Sequence, residues 1–213
     1  MVVICEVLIR QYQPSDQQSV KRVLLDGVYT NMWPAYKNAL LRREALIFAS
    51  LLFSMFSLII DDWLMIIGAA IVGYFGVVYL VIRIAALAYF HASCSDLNDI
   101  EKCYQRDAYS NFWVAQFDGD IVGTVAIVAR EDVLAINGAV AENTSPLGKT
   151  AFLRRMAVCK RRRKMGIGLM LIETAVNFCR RNSYDSVQLI TTQLQNPAQR
   201  LYLKYGFKSR VDL

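Results

Sequence analysis

Two long apolar segments interrupt the first half of the 213-residue chain. Residues 45–60 carry no charge, Asp61 and Asp62 follow, and residues 63–82 are again uncharged up to Arg83. Core helices of soluble proteins are rarely apolar on every face, so the pattern predicts an inserted membrane hairpin of helices. A buried hairpin in a soluble core is the alternative, but too little chain remains to cover one.

Helix length and flanking charge suggest how the hairpin meets the bilayer. The first segment would extend about 24 Å, less than a hydrocarbon core of roughly 30 Å. We therefore expect a hairpin that dips into or just crosses the membrane, with the acidic pair at its tip. Arg42, Arg43 and Arg83 favour the cytosolic side for both flanks. A single span over 63–82 would divide the rest of the protein across the membrane, and we reject it.

The remaining chain alternates between strand and helix patterns. An Asp118-Gly119 turn joins two β-rich segments into a predicted hairpin. The other predicted elements, in order, are a strand at 2–10, helices at 16–29 and 31–41, a short helix after 95–96, a strand at 151–158, a helix at 167–181, a strand at 186–191 and a helix from about 197. This order predicts an α/β (α+β) fold with a mixed, twisted sheet flanked by helices. The predicted parts are residues 1–44, the membrane insertion 45–90, and the core 91–213.

A basic turn with two glycines lies between the strand at 152–158 and the helix that follows. It reads R-K-M-G-I-G from Arg163 to Gly168. Backbone N–H groups, the helix dipole and glycines that admit close approach together predict a pyrophosphate site. Neither the G-x-G-x-x-G dinucleotide fingerprint nor a Walker loop is present. A solvated basic helix cap is the structural alternative.

A second motif lies about thirty residues further on. Residues 195–207 read Q-N-P-A-Q-R-L-Y-L-K-Y-G-F, with Ala198 four residues before Tyr202. Pro197 suits a first helical turn, and Gly206 suits a left-handed cap at the helix end. In this order and spacing, the two motifs resemble the signatures of the GNAT acetyltransferase superfamily.

Segments outside those motifs resemble one branch of the superfamily, the camello-like membrane N-acetyltransferases. They are 9–16, 95–104, 112–115 and 122–123, together with the position of the apolar hairpin. The resemblance implies acetyl-CoA as co-substrate at the endoplasmic reticulum membrane. It also implies small amine acceptors such as cysteine S-conjugates and aspartate, and for some relatives protein lysines.

The sequence departs from the family pattern in two ways. Family chains normally continue beyond the Gly-Phe pair for a further strand, whereas this sequence stops at Leu213. We expect part of the sheet and acceptor pocket to be unmade unless the sequence is truncated or a partner supplies that strand. Many members also carry a glutamate base on the strand at 150–156, and here there is none. The general base is therefore unassigned, with Glu142 and Asp132 as candidates acting through water.

The resemblance implies roles for individual residues. Backbone N–H groups of Ala157 and Val158 would hold the pantetheine arm and polarise the acetyl carbonyl. Tyr202 would donate a proton to the leaving sulfur. Arg154 and Arg155 would point to opposite faces of their strand, so that one can pair with an acceptor carboxylate. The expected pyrophosphate contacts are the backbone of Arg163, Lys164, Met165, Gly166, Ile167, Gly168 and Leu169.

Composition restricts the partners. The five cysteines are scattered and His91 is the single histidine, so we expect no metal site and reduced thiols. The net charge is +6, but the basic segments lack the interleaved aromatic residues that are typical of a nucleic-acid surface. An anionic cofactor and anionic lipid headgroups therefore account for the positive charge. The Asn143 sequon would matter only in a lumenal domain.

These observations predict a membrane-anchored N-acetyltransferase with its catalytic domain facing the cytosol. The expected acceptor is the amine of a small amino acid or cysteine S-conjugate. Protein lysine acetylation is one alternative, and a catalytically silent CoA-binding membrane scaffold is another. Membrane lipid is an expected partner, nucleic acid is not, and the oligomeric state is left open.

Overall fold

The computed structural model describes residues 6–58, 62–129, 149–191 and 195–209. The chain forms two compact units. The sheet unit comprises Met1–Gly27 and Cys94–Leu213, and the helical unit comprises Val28–Ser93. The helical unit is therefore an insertion in the sequence of the sheet unit.

The helical unit contains α2 (Arg43–Ser57), α3 (Trp63–Ser93) and the second part of α1 (Gln17–Leu40). We predicted two helices over 16–41, and this is wrong because α1 is continuous. Pro34 lies inside it, where its ring removes one N–H donor without ending the helix. The Tyr74 hydroxyl donates a hydrogen bond to the Leu40 carbonyl at 2.7 Å and links α3 to the end of α1.

Helix α3 is the longest apolar element. Residues Trp63–His91 form the one helix, in the described ranges, that is long and apolar enough to cross a membrane. Helix α2 packs against it, since a Cβ on Gly73 would lie 3.6 Å from the Phe56 ring. Most large apolar side chains of α2 and α3 are exposed, including Val72, which is 73% exposed.

The sheet unit is built on five strands in the order β1-β2-β3-β4-β5. Neighbours are antiparallel except for β4 and β5, which are parallel. This confirms the predicted mixed sheet flanked by helices. The strands are β1 (Leu8–Gln11), β2 (Asn111–Phe117), β3 (Asp120–Ala129), β4 (Thr150–Val158) and β5 (Ser186–Gln188).

Helices α5 (Ile167–Arg181) and α6 (Asn196–Tyr205) complete the unit, and α5 packs on one face of the sheet. The apolar positions of α5 recur with helical spacing, which produces a single buried stripe. Burial of each large aliphatic side chain in this stripe stabilises the folded state by about 1.5–3 kcal/mol. The buried stripe consists of Ile167, Leu171, Ile172, Ala175 and Cys179.

The short α4 (Ile100–Tyr104) lies on the opposite side of the sheet, and the first part of α1 reaches β4, where a Cβ on Gly27 would lie 3.8 Å from Ala157 Cβ. Phe112 of β2 meets the rings of Tyr12 and Tyr104 there, with centroids 5.6 and 5.4 Å away. The next residue, Trp113, points to the α5 side and contacts Phe178 at 5.0 Å. Phe112 and Trp113 are therefore core residues on opposite faces of β2.

Strand β5 is shorter than the predicted 186–191. Its pairing with β4 ends at Phe152 and Gln188. The second half of β4, from Leu153 to Val158, continues beyond this last pair. The two parallel strands thus pair only at the start of β4.

Candidate active site

The turn before α5 has the geometry of an anion site. Gly166 is the N-cap, with φ 80° and ψ −9°, a conformation that glycine adopts without strain. The N–H groups of Leu169 and Met170 donate to the Gly166 carbonyl, which leaves those of Ile167 and Gly168 without helical partners. No heavy atom lies within 4 Å of a Cβ built on Gly166, so the space above this turn is open. The turn therefore fits a phosphate group.

The basic residues around this turn have different surroundings. The Arg163 Nε donates to the Val158 carbonyl at 2.9 Å, and the Arg162 guanidinium lies 4.4 Å from the Phe117 ring centroid. The backbone N–H of Lys160 donates to the Asp26 carboxylate at 2.7 Å, and the Lys160 side chain is exposed. Arg161 and Lys164 are exposed as well, so the turn carries positive charge in solvent.

Gly168 joins three elements of the site. A Cβ on Gly168 would lie 2.9 Å from Leu201 Cδ2 on α6. It would also lie 3.5 Å from Met156 Cε and 3.9 Å from Val158 Cγ2, both on β4. A side chain on this residue would displace the end of Leu201, so glycine allows the first turn of α5 to lie close to β4 and α6.

The end of β4 presents backbone groups away from β3. The N–H of Cys159 donates to the Val122 carbonyl on β3 at 2.8 Å, and Val158 pairs with Gly123. Successive strand residues direct their N–H groups to opposite sides, so the N–H and C=O of Val158 point to the side where pairing with β5 has ended. By the same alternation the N–H of Ala157 points to β3. Of the two predicted residues, Val158 therefore presents its N–H at this open edge.

A β-bulge lies in the middle of β4. Ala126 pairs with Arg154 and Thr124 with Ala157, so one β3 residue opposes both Arg155 and Met156. Arg155 has φ 52°, in the left-handed region. The extra residue shifts the alternation of side chains along the strand by one position.

The bulge overturns our prediction that Arg154 and Arg155 point to opposite faces. Leu153 and Met156 both pack in the core under α5. Arg154 follows Leu153 and so lies on the opposite face, and Arg155 lies there too, because it binds Asp96 and Tyr104 beside Phe112. Strict alternation would hold only in a strand without the extra residue.

Arg155 is held in a buried ion pair with Asp96. Its Nε donates to Asp96 at 2.8 Å and its second terminal nitrogen at 2.5 Å, and the Asp96 side chain is 1% exposed. The Tyr104 hydroxyl also donates to Asp96. Burial disfavours the charge on Arg155, but the bonds and charges of Asp96 and Tyr104 hold its pKa above the ordinary value. Burial and the charge of Asp96 raise the pKa of Tyr104.

Tyr202 lies in the last turns of α6 and is 8% exposed. Burial raises its pKa to about 12. Its ring meets that of Phe207 at 5.8 Å, and its carbonyl accepts the N–H groups of Gly206 and Phe207. The left-handed cap predicted at Gly206 is confirmed by its φ of 112°. No hydrogen bond to the hydroxyl comes from the part of the chain that the structure describes.

Sequence reasoning missed the cluster of Asp96, Tyr104 and Thr124 beside the bulge. Asp96 was interpreted as a helix-start residue within a segment of family resemblance, with no role assigned, because nothing local indicates that it pairs with an arginine 59 positions later. Glu142, Asp132 and the Asn143 sequon lie outside the described residues. His91 is exposed in the last turn of α3, and the described residues contain no group of acidic, cysteine and histidine side chains able to hold a metal.

Comparison with known proteins agrees with this geometry. The family model described as "Acetyltransferase (GNAT) family" matches residues 79–207. N-acetyltransferase 8F1 of Rattus norvegicus is 30% identical over 94% of this chain and 85% of its own length. N-acetylaspartate synthetase of Danio rerio is 28% identical over 95% of this chain and 67% of its own. "Probable N-acetyltransferase camello" of Xenopus tropicalis is 34% identical over 55% and 48%.

A solved GNAT acetyltransferase of Staphylococcus aureus shares the fold, with a TM-score of 0.52 and 19% identity over 98% of this chain and 89% of that one. The chain belongs to the GNAT acetyltransferase family and is an acetyltransferase. Its relatives place it in the camello-like branch, together with the N-acetyltransferase 8 proteins. Members of the GNAT family use acetyl-CoA.

Proposed function

We propose that this enzyme transfers the acetyl group of acetyl-CoA to the amine of a small amino acid or cysteine S-conjugate at a membrane. The observation that carries the proposal is the open edge of β4 beside the first turn of α5. Gly168 brings these two elements and α6 into contact, so that a phosphate site, free backbone donors and Tyr202 belong to one assembly.

The first turn of α5 would bind the pyrophosphate of acetyl-CoA. The free N–H groups of Ile167 and Gly168 support this assignment, as does the left-handed Gly166 that opens the turn. The exposed charges of Arg161 and Lys164 favour a phosphate electrostatically. The contact set is the backbone of Arg163, Lys164, Met165, Gly166, Ile167, Gly168 and Leu169.

Acetyl-CoA supplies a thioester carbonyl that a neutral amine can attack. The N–H of Val158 would donate to the carbonyl oxygen, where negative charge develops during attack. Arg163 supports this arrangement, because its bond to the Val158 carbonyl fixes the orientation of the last β4 residue. The role of Val158 would thus be to bind and orient through its main chain.

Tyr202 would act on the leaving sulfur as a hydrogen-bond donor. Its pKa of about 12 keeps the phenol protonated at neutral pH. An ordinary thiol has a pKa near 8.5, so complete proton transfer from this phenol would be uphill by about 5 kcal/mol. A hydrogen bond from the hydroxyl stabilises charge on the sulfur without that transfer.

Arg154 would bind the carboxylate of the acceptor. The name of one relative, N-acetylaspartate synthetase, indicates an acceptor with carboxylates. Of the two arginines predicted for this role, Arg155 already holds Asp96 with its fork. Arg154 lies on the same face one residue earlier, and a guanidinium suits bidentate binding of a carboxylate.

The helical unit would anchor the enzyme in the endoplasmic reticulum membrane, with the sheet unit in the cytosol. The candidate span Trp63–His91 supports membrane association, and at 1.5 Å per residue it extends about 43 Å. The 15 residues of α2 extend about 22 Å and are too short to cross a core of about 30 Å. A hairpin that dips into the bilayer fits these lengths, with lipid covering its apolar faces.

The deciding experiment measures thiol release from acetyl-CoA by the detergent-solubilised enzyme. The acceptor panel contains aspartate, cysteine S-conjugates, other amino acids and a lysine peptide. Gly166→Glu places a carboxylate in the open turn and should abolish release. Gly119→Glu is the matched control, because Gly119 has φ 83°, an equally open Cβ position and a place in the β2–β3 turn.

Release with an amino acid or conjugate, lost in Gly166→Glu and kept in Gly119→Glu, would support the proposal. Release with the lysine peptide alone would show that the acceptor is a protein lysine rather than a small amino acid or conjugate. Saturable acetyl-CoA binding without release from any amine would identify a binding protein instead. Glycosylation of Asn143 in cells would show that the sheet unit faces the lumen, which would contradict the proposed orientation.

A further inference from the structure

Arg155 has an unusual backbone conformation for its place in the fold. Four described residues other than glycine have positive φ: Asp118, Lys164, Ser183 and Arg155. The first three lie outside strands and helices, whereas Arg155 lies in the middle of β4. A left-handed residue inside a strand is strained and persists only where its surroundings hold it. The structure must therefore contain groups that hold Arg155 in place.

Those groups hold Arg155 at its main-chain carbonyl and at its guanidinium. The buried Thr124 hydroxyl donates to the main-chain carbonyl of Arg155 at 2.7 Å. At the other end, Asp96 binds the guanidinium with two hydrogen bonds, and Tyr104 donates a third bond to Asp96. Asp96 and Tyr104 are almost completely buried, so solvent does not compete for these bonds.

The bulge decides which groups reach the open edge of β4. Because it inserts one residue, every later residue of the strand is shifted by one position in the alternation. With the bulge, Met156 and Val158 pack towards α5, and the N–H of Val158 points away from β3. Without it, the alternation after residue 154 would reverse, and that N–H would point back to β3.

We infer that Asp96 is a positioning residue for acetyl transfer, which acts through Arg155 to hold the β4 bulge and so to aim the Val158 N–H. The inference rests on the proposed role of the open edge in that reaction. Asp96 itself touches neither co-substrate nor acceptor in this assignment. Its effect should therefore fall on kcat rather than on the binding of acetyl-CoA at α5.

The main test compares two buried carboxylates that each bind an arginine fork. Asp16 binds Arg10 at 2.6 and 2.8 Å, and Arg10 belongs to β1, which β2 and β3 separate from β4. Asp96→Asn should lower kcat at least about tenfold and change KM for acetyl-CoA less than about threefold. The matched Asp16→Asn should lower thermal stability while kcat per folded molecule stays within about twofold of wild type.

Hydrogen exchange supplies a readout that does not depend on activity. In Asp96→Asn, amides of residues 154–159 should exchange at least about tenfold faster than in wild type and in Asp16→Asn. If the wild type releases no thiol with any amine, the proposed function fails while this comparison still tests the bulge. Unchanged exchange at 154–159 in folded Asp96→Asn would overturn the inference, as would unchanged kcat in an active enzyme.

Substitutions at Arg155 separate the backbone effect from the loss of charge. Arg155→Gly and Arg155→Ala both remove the ion pair, but only glycine adopts φ 52° without strain. Arg155→Gly should retain several times more kcat than Arg155→Ala, and equal values would contradict a role through the bulge. This pair also tests the bulge if Asp96→Asn does not fold, because both variants leave Asp96 without its arginine and differ only in backbone preference.

Discussion

Gly168 and Leu201 approach so closely that a methyl group on Gly168 would lie 2.9 Å from Leu201 Cδ2. Gly168→Ala therefore requires the end of the Leu201 side chain to move, by a change of rotamer or a shift of α6. We expect a loss of about 1–3 kcal/mol in the free energy of unfolding and a severalfold rise in KM for acetyl-CoA. Leu201→Ala in the same chain should restore part of both. Thermal unfolding and initial rates measure the two effects. Unchanged stability and unchanged KM in Gly168→Ala would contradict the close contact.

Tyr202→Phe should lower kcat about 100-fold and leave KM for acetyl-CoA nearly unchanged, because a donor to the reacting sulfur is lost. Burial raises the Tyr202 pKa to about 12, so the phenol stays protonated throughout the range in which kcat can be measured. The wild-type kcat profile should therefore have no alkaline limb from this residue below pH 10. A limb below pH 10 that disappears in Tyr202→Phe would contradict the proposed state of the hydroxyl.

Arg154→Lys keeps the charge and removes the guanidinium fork. For an acceptor with a carboxylate we expect KM to rise about tenfold, since one lysine cannot replace a bidentate contact. For the corresponding amine without the carboxylate, KM should not change. Steady-state rates with the two acceptors measure the difference. Equal changes for both would show that Arg154 does not recognise the carboxylate.

Stability in acid should depend on Asp16. The hydrogen bond from Arg10 lowers the Asp16 pKa against the opposing effect of burial. A carboxyl with a lowered folded-state pKa stabilises the protein above its unfolded pKa and loses that contribution as pH falls through the folded one. Asp16→Asn should thus cost about 1–3 kcal/mol at pH 7, with the difference from wild type shrinking below pH 4. A difference independent of pH would contradict the ion pair.

Membrane anchoring can be tested at an exposed position of α3. Val72 is 73% exposed, so an arginine there would be harmless to a soluble protein. In lipid, a central arginine costs about 3 kcal/mol. Val72→Arg should lower the fraction of protein that stays with membranes after alkaline extraction, whereas Val72→Leu should not. Equal retention of the two variants would argue against lipid around this part of α3.

The parts of the fold predicted correctly are those with local signals. Gly166 and Gly206 were identified as special backbone positions because a glycine beside a periodic apolar segment is itself a signal for a helix end. The bounds of α5, predicted at 167–181 and observed at Ile167–Arg181, follow in the same way from the periodic apolar segment behind that turn. Such features depend on neighbours a few residues away, which the sequence displays directly.

The bulge in β4 could not be predicted, because its causes are distant in the sequence. Arg155 is held by Asp96, 59 positions earlier, and by Thr124, 31 positions earlier. Alternation predicted opposite faces for the two arginines because it assumes a regular strand. The prediction also divided α1 at residue 30, where the folded chain continues as one helix from Gln17 to Leu40.

The pairing of β1 with β2 has a consequence for synthesis. Arg10 and Gln116 bond across these neighbouring strands, although 106 positions separate them. At a synthesis rate of about 5–20 residues per second, β1 leaves the ribosome several seconds before β2. During that interval the helical unit follows β1 and the start of α1 out of the ribosome. The apolar helices are therefore available to the machinery of membrane targeting before the catalytic sheet can begin to close.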